Sequence, residues 1–430
     1  MVAVLVMAAP GESIAAPEAG TQLVATDLGW PAAAAVATVR TRVPVLDAAE
    51  RGKRIAVVAP GTRVTWRRII ASRDGCKAWL ELEPRGWACA KDLAPTTDGA
   101  APSATPAATP SPVSRWADVR KDGADAFESI DDVKAGTIAK HVDDRTYIVV
   151  KGRTRPVKVD GTTYVKTDQG WIASKDLSWY SPSTFAGIDV TPQTSFAIGW
   201  AVAKKPGAKI AVRSAADPNG PKVRELAPRD LVTIVELKDD MARIGPDEWV
   251  EAVELRKPAR MPRPDGVGQG ERWIDVDLDQ QVLVAYQGDE AVFVTVISSG
   301  RAFWETPTGI YRITGKEAKS RMQYQGNPDA SPDDERGKEA WNVADVPFSM
   351  RFRKNYALHG TYWHEGFGRA RSHGCVNLST TDAQRLYEWV SPTAPAGWSN
   401  VEAAGDGTPV RIHSHRDPDP IWRGYDGKPL

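Results

Sequence analysis

Residues 95–114 read PTTDGAAPSATPAATPSPVS, and they constrain how this chain can fold more than any other stretch. Proline, alanine, threonine and serine dominate, with no aromatic residue and no hydrophobic period. Such a segment cannot bury enough surface to offset its conformational entropy, so an extended tether is expected. A chain interrupted in this way cannot build one continuous core. A second proline- and glycine-rich break, KPARMPRPDGVGQGE, runs from Lys257 to Glu271, and residues 415–430 read as a polar tail. The intervening pieces are 35–94, 115–182, 192–258 and 271–414, and several folding units suit a chain of 430 residues.

The first three pieces carry a weak internal repeat. Trp87-Ala-Cys-Ala-Lys-Asp-Leu93 closes the first, Trp171-Ile-Ala-Ser-Lys-Asp-Leu177 the second and Trp249-Val-Glu-Ala-Val-Glu-Leu255 the third. Upstream, Ala59-Pro60-Gly61-Thr62-Arg63-Val64 has its counterpart in Ala227-Pro228-Arg229-Asp230-Leu231-Val232. Short runs of Val, Ile, Thr, Tyr and Trp, broken by Gly, Asp and Pro, predict small all-β units. In the middle piece Tyr147–Val150 is one such strand, followed by a turn at Lys151-Gly152. The pattern resembles bacterial Src-homology-3-like barrels, which implies two or three small β-barrel modules. Such modules either bind wall polymer and wall peptides or act as spacers whose tryptophans are core anchors.

Lysine plus arginine and aspartate plus glutamate number 55 each, which argues against nucleic acid as the main partner. No run of eighteen apolar residues exists, so no transmembrane helix is expected. The apolar stretch Val2–Ala9 and the small residues Ala15 and Ala16 resemble the later part of a secretory signal without its basic start. Residues 1–20 therefore read either as a truncated signal peptide or as a low-complexity start, and export to the periplasm or cell envelope is the expectation. Of the 3 cysteines, Cys76 and Cys89 lie close together and Cys375 stands far off. A Cys76–Cys89 disulfide with a free Cys375 suits an exported chain, and two buried thiols are the alternative.

From Arg272 the pattern changes. Trp273–Leu278, Gln281–Tyr286 and Ala291–Ile297 predict a β-meander with turns at Asp279-Gln280 and Gly288-Asp289, and Ile310–Ile313 predicts a further strand. The densest chemistry is LHGTYWHEGFGRARSHGCVNL, Leu358 to Leu378, with His359, His364, His373 and Cys375. If the segment is extended, His373, Cys375 and Asn377 project from one face. A thiol with a pKa of about 8.5 needs a base or a positive neighbour to become a thiolate. A glycine-rich loop, Gly366 to Gly368, can fold His359 back beside Cys375. Gly374 permits close approach of a substrate carbonyl, and the Gly374 and Cys375 amides are candidates for an oxyanion hole. The Gly360 carbonyl is a candidate to orient the base. Ser379 caps a predicted helix whose apolar face is Ala383, Leu386, Tyr387 and Val390, stopped by Pro392, and which should pack behind the strand that carries the cysteine.

His359-Gly360 and Ser372-His373-Gly374-Cys375-Val376-Asn377, with Thr306-Pro307-Thr308-Gly309 and Val346-Pro347-Phe348 upstream, resemble the catalytic domain of L,D-transpeptidases of the YkuD type. The resemblance covers roughly 271–414. It implies a β-sandwich-like catalytic fold with a few helices, Cys375 as nucleophile and His359 as base, with His373 helping to hold the thiolate. It implies that Ser372, Gly374 and Asn377 shape the pocket, that Trp363 and Tyr362 flank the substrate, and that neither cofactor nor metal takes part. Peptidoglycan stem peptides are the implied substrate, with release of a terminal D-amino acid and transfer of the acyl group to an amine of a second stem. Hydrolysis to an L,D-carboxypeptidase product, exchange with a free D-amino acid, and anchoring of a protein amine use the same thioester. Two readings from other classes are a zinc site built from His359, His364, His373 and Cys375, and a wall-binding protein with an inactive catalytic domain.

Overall fold

The computed structural model describes residues 18–96, 115–144, 146–150, 154–326 and 340–430. The signal-like segment before residue 18, the tether from 97 on and the Lys151-Gly152 turn lie outside the described residues. The chain is mainly β, and no helix among the described residues is long and apolar enough to cross a membrane. Two compact units emerge: the described residues up to Thr96 with Pro395–Ser399, and those from Arg115 onward without that short segment.

In the first unit, strands Val36–Val39, Val43–Leu46, Arg54–Val58, Arg63–Ala71, Ala78–Leu82 and Trp87–Cys89 enclose a core of Val39, Val45, Val58, Leu80 and Leu93. The closing strand, Leu93–Thr96, runs two residues into the proline-rich stretch, because Pro95 and Thr96 still pair with Ala37 and Val36. Cys76 and Cys89 form a disulfide, against which Trp79 and Trp87 pack.

The sequence repeat is a repeat of backbone. Each strand that carries the motif tryptophan gives way to one 3-10 turn, Ala90–Asp92, Ser174–Asp176 or Ala252–Glu254, and then to a leucine. Those leucines, Leu93, Leu177 and Leu255, are all buried, which explains why the spacing from tryptophan to leucine is held. The paired upstream motifs also share a turn. Gly61 and Arg229 both have positive φ, and their amides donate to Val39 O and Ala201 O.

In the second unit, the meander forms as expected from strands Arg272–Asp277, Val282–Gln287 and Glu290–Val296. Strand Pro409–His413 joins it in parallel, Ile274 facing Val410, and Gly309–Arg312 forms one edge. Ile188–Asp189 adds itself to the other edge. A second layer holds Gly315–Tyr324, Trp341–Arg353, Tyr356–Gly360 and Val376–Leu378. Ile274, Leu283 and Phe293 from the first layer meet Phe348, Met350, Leu358 and Val376 from the second in one core. Helix Thr380–Trp389 begins at Ser379, whose side chain accepts from the Asp382 amide, and it buries Ala383, Leu386 and Tyr387 against that core. The Asp382 carboxylate is also buried, and it accepts from Thr295 Oγ1 at 2.6 Å and from the Gly187 amide at 2.9 Å, so it fastens the helix start to the first layer. At the other end the buried Lys316 Nζ, its pKa brought down to about 7 by burial, donates to the Tyr387 and Val390 carbonyls and so satisfies acceptors that the helix end leaves open.

Candidate active site

His359 lies on the Tyr356–Gly360 strand, in parallel register with Asn377 on Val376–Leu378. Only Val376–Leu378 of the cysteine segment is a strand. The expectation that His373, Cys375 and Asn377 share one strand face is therefore corrected: a turn from Ser372 to Cys375 delivers the first two. Gly374 sits at φ 109°, and a Cβ there would lie 2.5 Å from Tyr356 Cε1, so both conformation and space demand glycine. Ser372 Oγ accepts from the Gly374 amide at 3.0 Å and donates to the Cys375 carbonyl. The Gly374 amide is thus engaged inside the turn rather than open to an oxyanion, and Ser372 shapes the turn while lining the cavity beside His359.

The Cys375 thiol is free and half-buried, with Sγ 3.8 Å from the Asn355 carbonyl. Burial pushes its pKa up to about 11, against the pull of the Ala357 amide. His359 is 2% exposed, and burial lowers its pKa to about 4 despite the hydrogen bond to Gly360. Its Nδ1 lies 3.0 Å from the Gly360 carbonyl and its Nε2 3.0 Å from Asn377 Nδ2. Asn377 Oδ1 lies 3.0 Å from His364 Nε2, and His364 Nδ1 accepts from the Gly366 amide at 3.1 Å. Both ends of this chain of bonds are backbone groups of fixed polarity, so every proton between them is assigned. The Gly366 N–H donates, His364 carries its proton on Nε2, the Asn377 amide donates to His359, and His359 donates from Nδ1 to Gly360. Both imidazoles are neutral in this arrangement, and burial holds His364 at about 4 as well.

His373 Nε2 lies 3.1 Å from Arg301 Nη2 and so accepts, while its ring meets the edge of Trp304 at 4.8 Å. The loop between the two motif halves is held from outside. Glu365 accepts from Ser183 Oγ at 2.9 Å and pairs with Arg229 at 2.7 Å, and Arg256 Nε donates to the Gly368 carbonyl at 2.6 Å.

Two cavities meet at the thiol. One, of about 340 Å³, is lined by His359, Asn377, Trp363, Tyr147, His373 and Cys375. The other, of about 500 Å³, is lined by Trp304, Tyr324, Trp341, Tyr356, His373 and Cys375 and does not include His359. His359, His373, Cys375, Asn377 and Trp363 are thus brought together. Tyr362 is not among them, which corrects the expectation that it flanks substrate. It is 2% exposed, stacks on Trp116 at 4.6 Å, and donates its hydroxyl to the Ala344 carbonyl at 2.8 Å. Asn377, also 2% exposed, bridges the two imidazoles instead of reaching outward. The zinc reading would need lone pairs on His359 and His364 that Asn377 and the Gly366 amide already engage.

Arg301, Trp304, Trp341 and Tyr147 belong to the site but do not stand out in the sequence as site residues, and His364 stands out only as a candidate metal ligand, not as the partner of Asn377. For His364 a signal existed: a histidine two residues before Gly366 can accept that amide locally. Tyr147 comes from a different sequence block and leaves no such trace.

Residues 271–412 match the profile of the L,D-transpeptidase catalytic domain of the YkuD family. Among solved structures, the chain is similar to the C442S mutant of Enterococcus faecium L,D-transpeptidase, with 19% identity over 33% of this chain and 50% of that one and a TM-score of 0.25. It is similar also to an L,D-transpeptidase from Mycobacterium smegmatis (23% identity, 39% of this chain, 72% of that one, TM-score 0.27) and to one from Stackebrandtia nassauensis (25%, 34%, 57%, 0.23). The match thus spans half the length of the Enterococcus faecium chain. No curated protein matches the chain.

Proposed function

We propose that the C-terminal domain is a cysteine acyltransferase that cross-links peptidoglycan stem peptides, in an exported protein whose β-rich preceding blocks are Src-homology-3-like modules. The observation that carries this reading is the convergence of Cys375, His359 and His373 on one cavity within the L,D-transpeptidase catalytic domain.

The resting pair is neutral, with the thiol pushed up and the imidazole pushed down by burial. The thiolate therefore forms as the substrate arrives, when the proton of Cys375 passes to His359 Nε2. That nitrogen has one lone pair, now held by the Asn377 amide, so Asn377 must release it for the transfer. The Gly360 carbonyl, accepting from Nδ1, orients the ring and stabilises the imidazolium. Sγ attacks the carbonyl of the diamino acid before the terminal D-residue, and the Cys375 amide stabilises the tetrahedral oxyanion. Collapse breaks the peptide bond; the departing D-alanine takes the proton from His359, and a thioester remains on Cys375. An amine of a second stem then attacks the thioester and gives its proton to His359. The thiolate leaves and recovers that proton, and the new amide is the cross-link. Thiol, imidazole and backbone dipoles supply nucleophile, base and electrophile.

Incubation with purified disaccharide-tetrapeptide tests the reading. Dimers with free D-alanine are expected. Tripeptide with no dimer would make the domain an L,D-carboxypeptidase, and no D-alanine at all would refute the acyl-enzyme.

A further inference from the structure

Tyr147 lies on the strand Thr146–Val150, well outside the 271–412 catalytic domain. That strand runs parallel to Trp341–Arg353 of the catalytic region, with Tyr147 beside Val343. Its ring stands 5.9 Å from Trp363, which in turn stacks on His359 at 5.8 Å. Tyr147 thereby lines the cavity that holds His359 and Asn377. The placement is braced on both sides. Trp116, fully buried, stacks on Tyr362 with ring planes nearly parallel, 10° apart, and Arg321 joins Asp168 and Asn342 at 2.8 Å each.

The two cavities at Cys375 are not equivalent. An amine that attacks a thioester must lose a proton, and the base for it is His359. The incoming amine therefore belongs on the His359 side, and the acyl chain in the larger cavity, which lacks that ring. This assignment rests on the acyltransferase reading above. We propose that the middle β block completes the acceptor subsite, with Tyr147 and Trp363 forming one aromatic wall for a primary amine carried on an aliphatic chain. Two adjoining rings, tilted by 52°, suit that chemistry, since methylenes pack along them and an ammonium is attracted to an aromatic face before it is deprotonated.

The test uses the full-length protein with disaccharide-tetrapeptide, measuring D-alanine release, tripeptide and dimer together. Tyr147→Ala is expected to lower the dimer-to-tripeptide ratio at least fivefold, because acyl-enzyme that waits for an acceptor meets water instead. Tyr147→Phe, which keeps the ring, is expected to recover most of the ratio. Should Tyr147→Ala fail to fold, as judged by Tm, Tyr147→Leu replaces it with the same expectation. A wild-type ratio in the Ala or Leu variant, or dimer and D-alanine falling by one common factor, would overturn the acceptor role while leaving the thioester chemistry intact. Absence of D-alanine release from the wild type would overturn both.

Discussion

The first and middle β blocks end in the same Gly-Trp and Lys-Asp-Leu signature yet use their aromatic residues differently. In the first, Trp79 and Trp87 pack on the Cys76–Cys89 disulfide, inside the block itself. In the middle block, Trp116, Tyr147 and Tyr180 form a cluster with Val343, Val346, Tyr362 and Trp363 of the catalytic region. One block is stapled from within, and the other lends its apolar surface to a neighbour. A shared repeat therefore fixes backbone, by way of the buried leucine after the 3-10 turn, but leaves open what the aromatic faces touch.

Trp116→Ala offers the largest break in this contrast. Truncating a fully buried indole costs about 3–5 kcal/mol, and here the loss should lower the Tm of the unit that holds the catalytic domain and reduce dimer formation. Unchanged turnover would show that the middle block is only a neighbour. Removing the staple is the counterpart. The Cys76–Cys89 bond closes a loop with a sequence separation of 13, and Cys76→Ser with Cys89→Ser should cost about 3 kcal/mol. That loss should appear as a lower-temperature transition of the first unit, with acyl transfer unaffected. An equal loss of activity in both variants would erase the distinction.

Next in size is a reactivity effect at the thiol. With Cys375 pushed up to about 11 from an ordinary 9.0, the thiolate fraction at a given pH falls by about 10- to 100-fold. Alkylation by iodoacetamide should be far below its maximum at pH 10 in the native protein, whereas in the unfolded chain it is half-maximal near pH 9. A native plateau near pH 7 would indicate a preformed thiolate–imidazolium pair. Tyr362→Phe, which deletes the hydrogen bond to Ala344, should cost about 1 kcal/mol. Smallest of all, Arg321→Gln should cost less than about 1 kcal/mol, since the pair with Asp168 is partly exposed. A larger value would mean that this pair, rather than the aromatic stack, carries the contact.

Local features of the sequence were the legible ones. Alternation and turn residues located the meander from Trp273 to Ile297, and the Ser379 cap with its apolar period located the helix. The His359 and Cys375 motif pointed to one cavity because its spacing is itself a product of two adjacent parallel strands. Features set by long-range packing were not legible. The positive φ of Gly374 turns the cysteine segment out of an extended path, which redirects the Gly374 amide to Ser372. Asn377 reads as a pocket residue, and it does line the cavity, but nothing nearby in sequence reveals that it also bridges His359 to His364. Tyr362 and Tyr147 were not legible for a similar reason: the surroundings of each ring are set by a residue far off in the chain, Trp116 for the first and Trp363 for the second.

The account stands on the Cys375 thiol as the acylated atom. Incubation with a carbapenem, whose β-lactam carbonyl stands in for the acyl donor, followed by intact mass and peptide mapping, tests this directly. One adduct on the peptide containing Cys375, absent in Cys375→Ala, is the predicted result. No adduct in the wild type, or an undiminished adduct in Cys375→Ala, would contradict it.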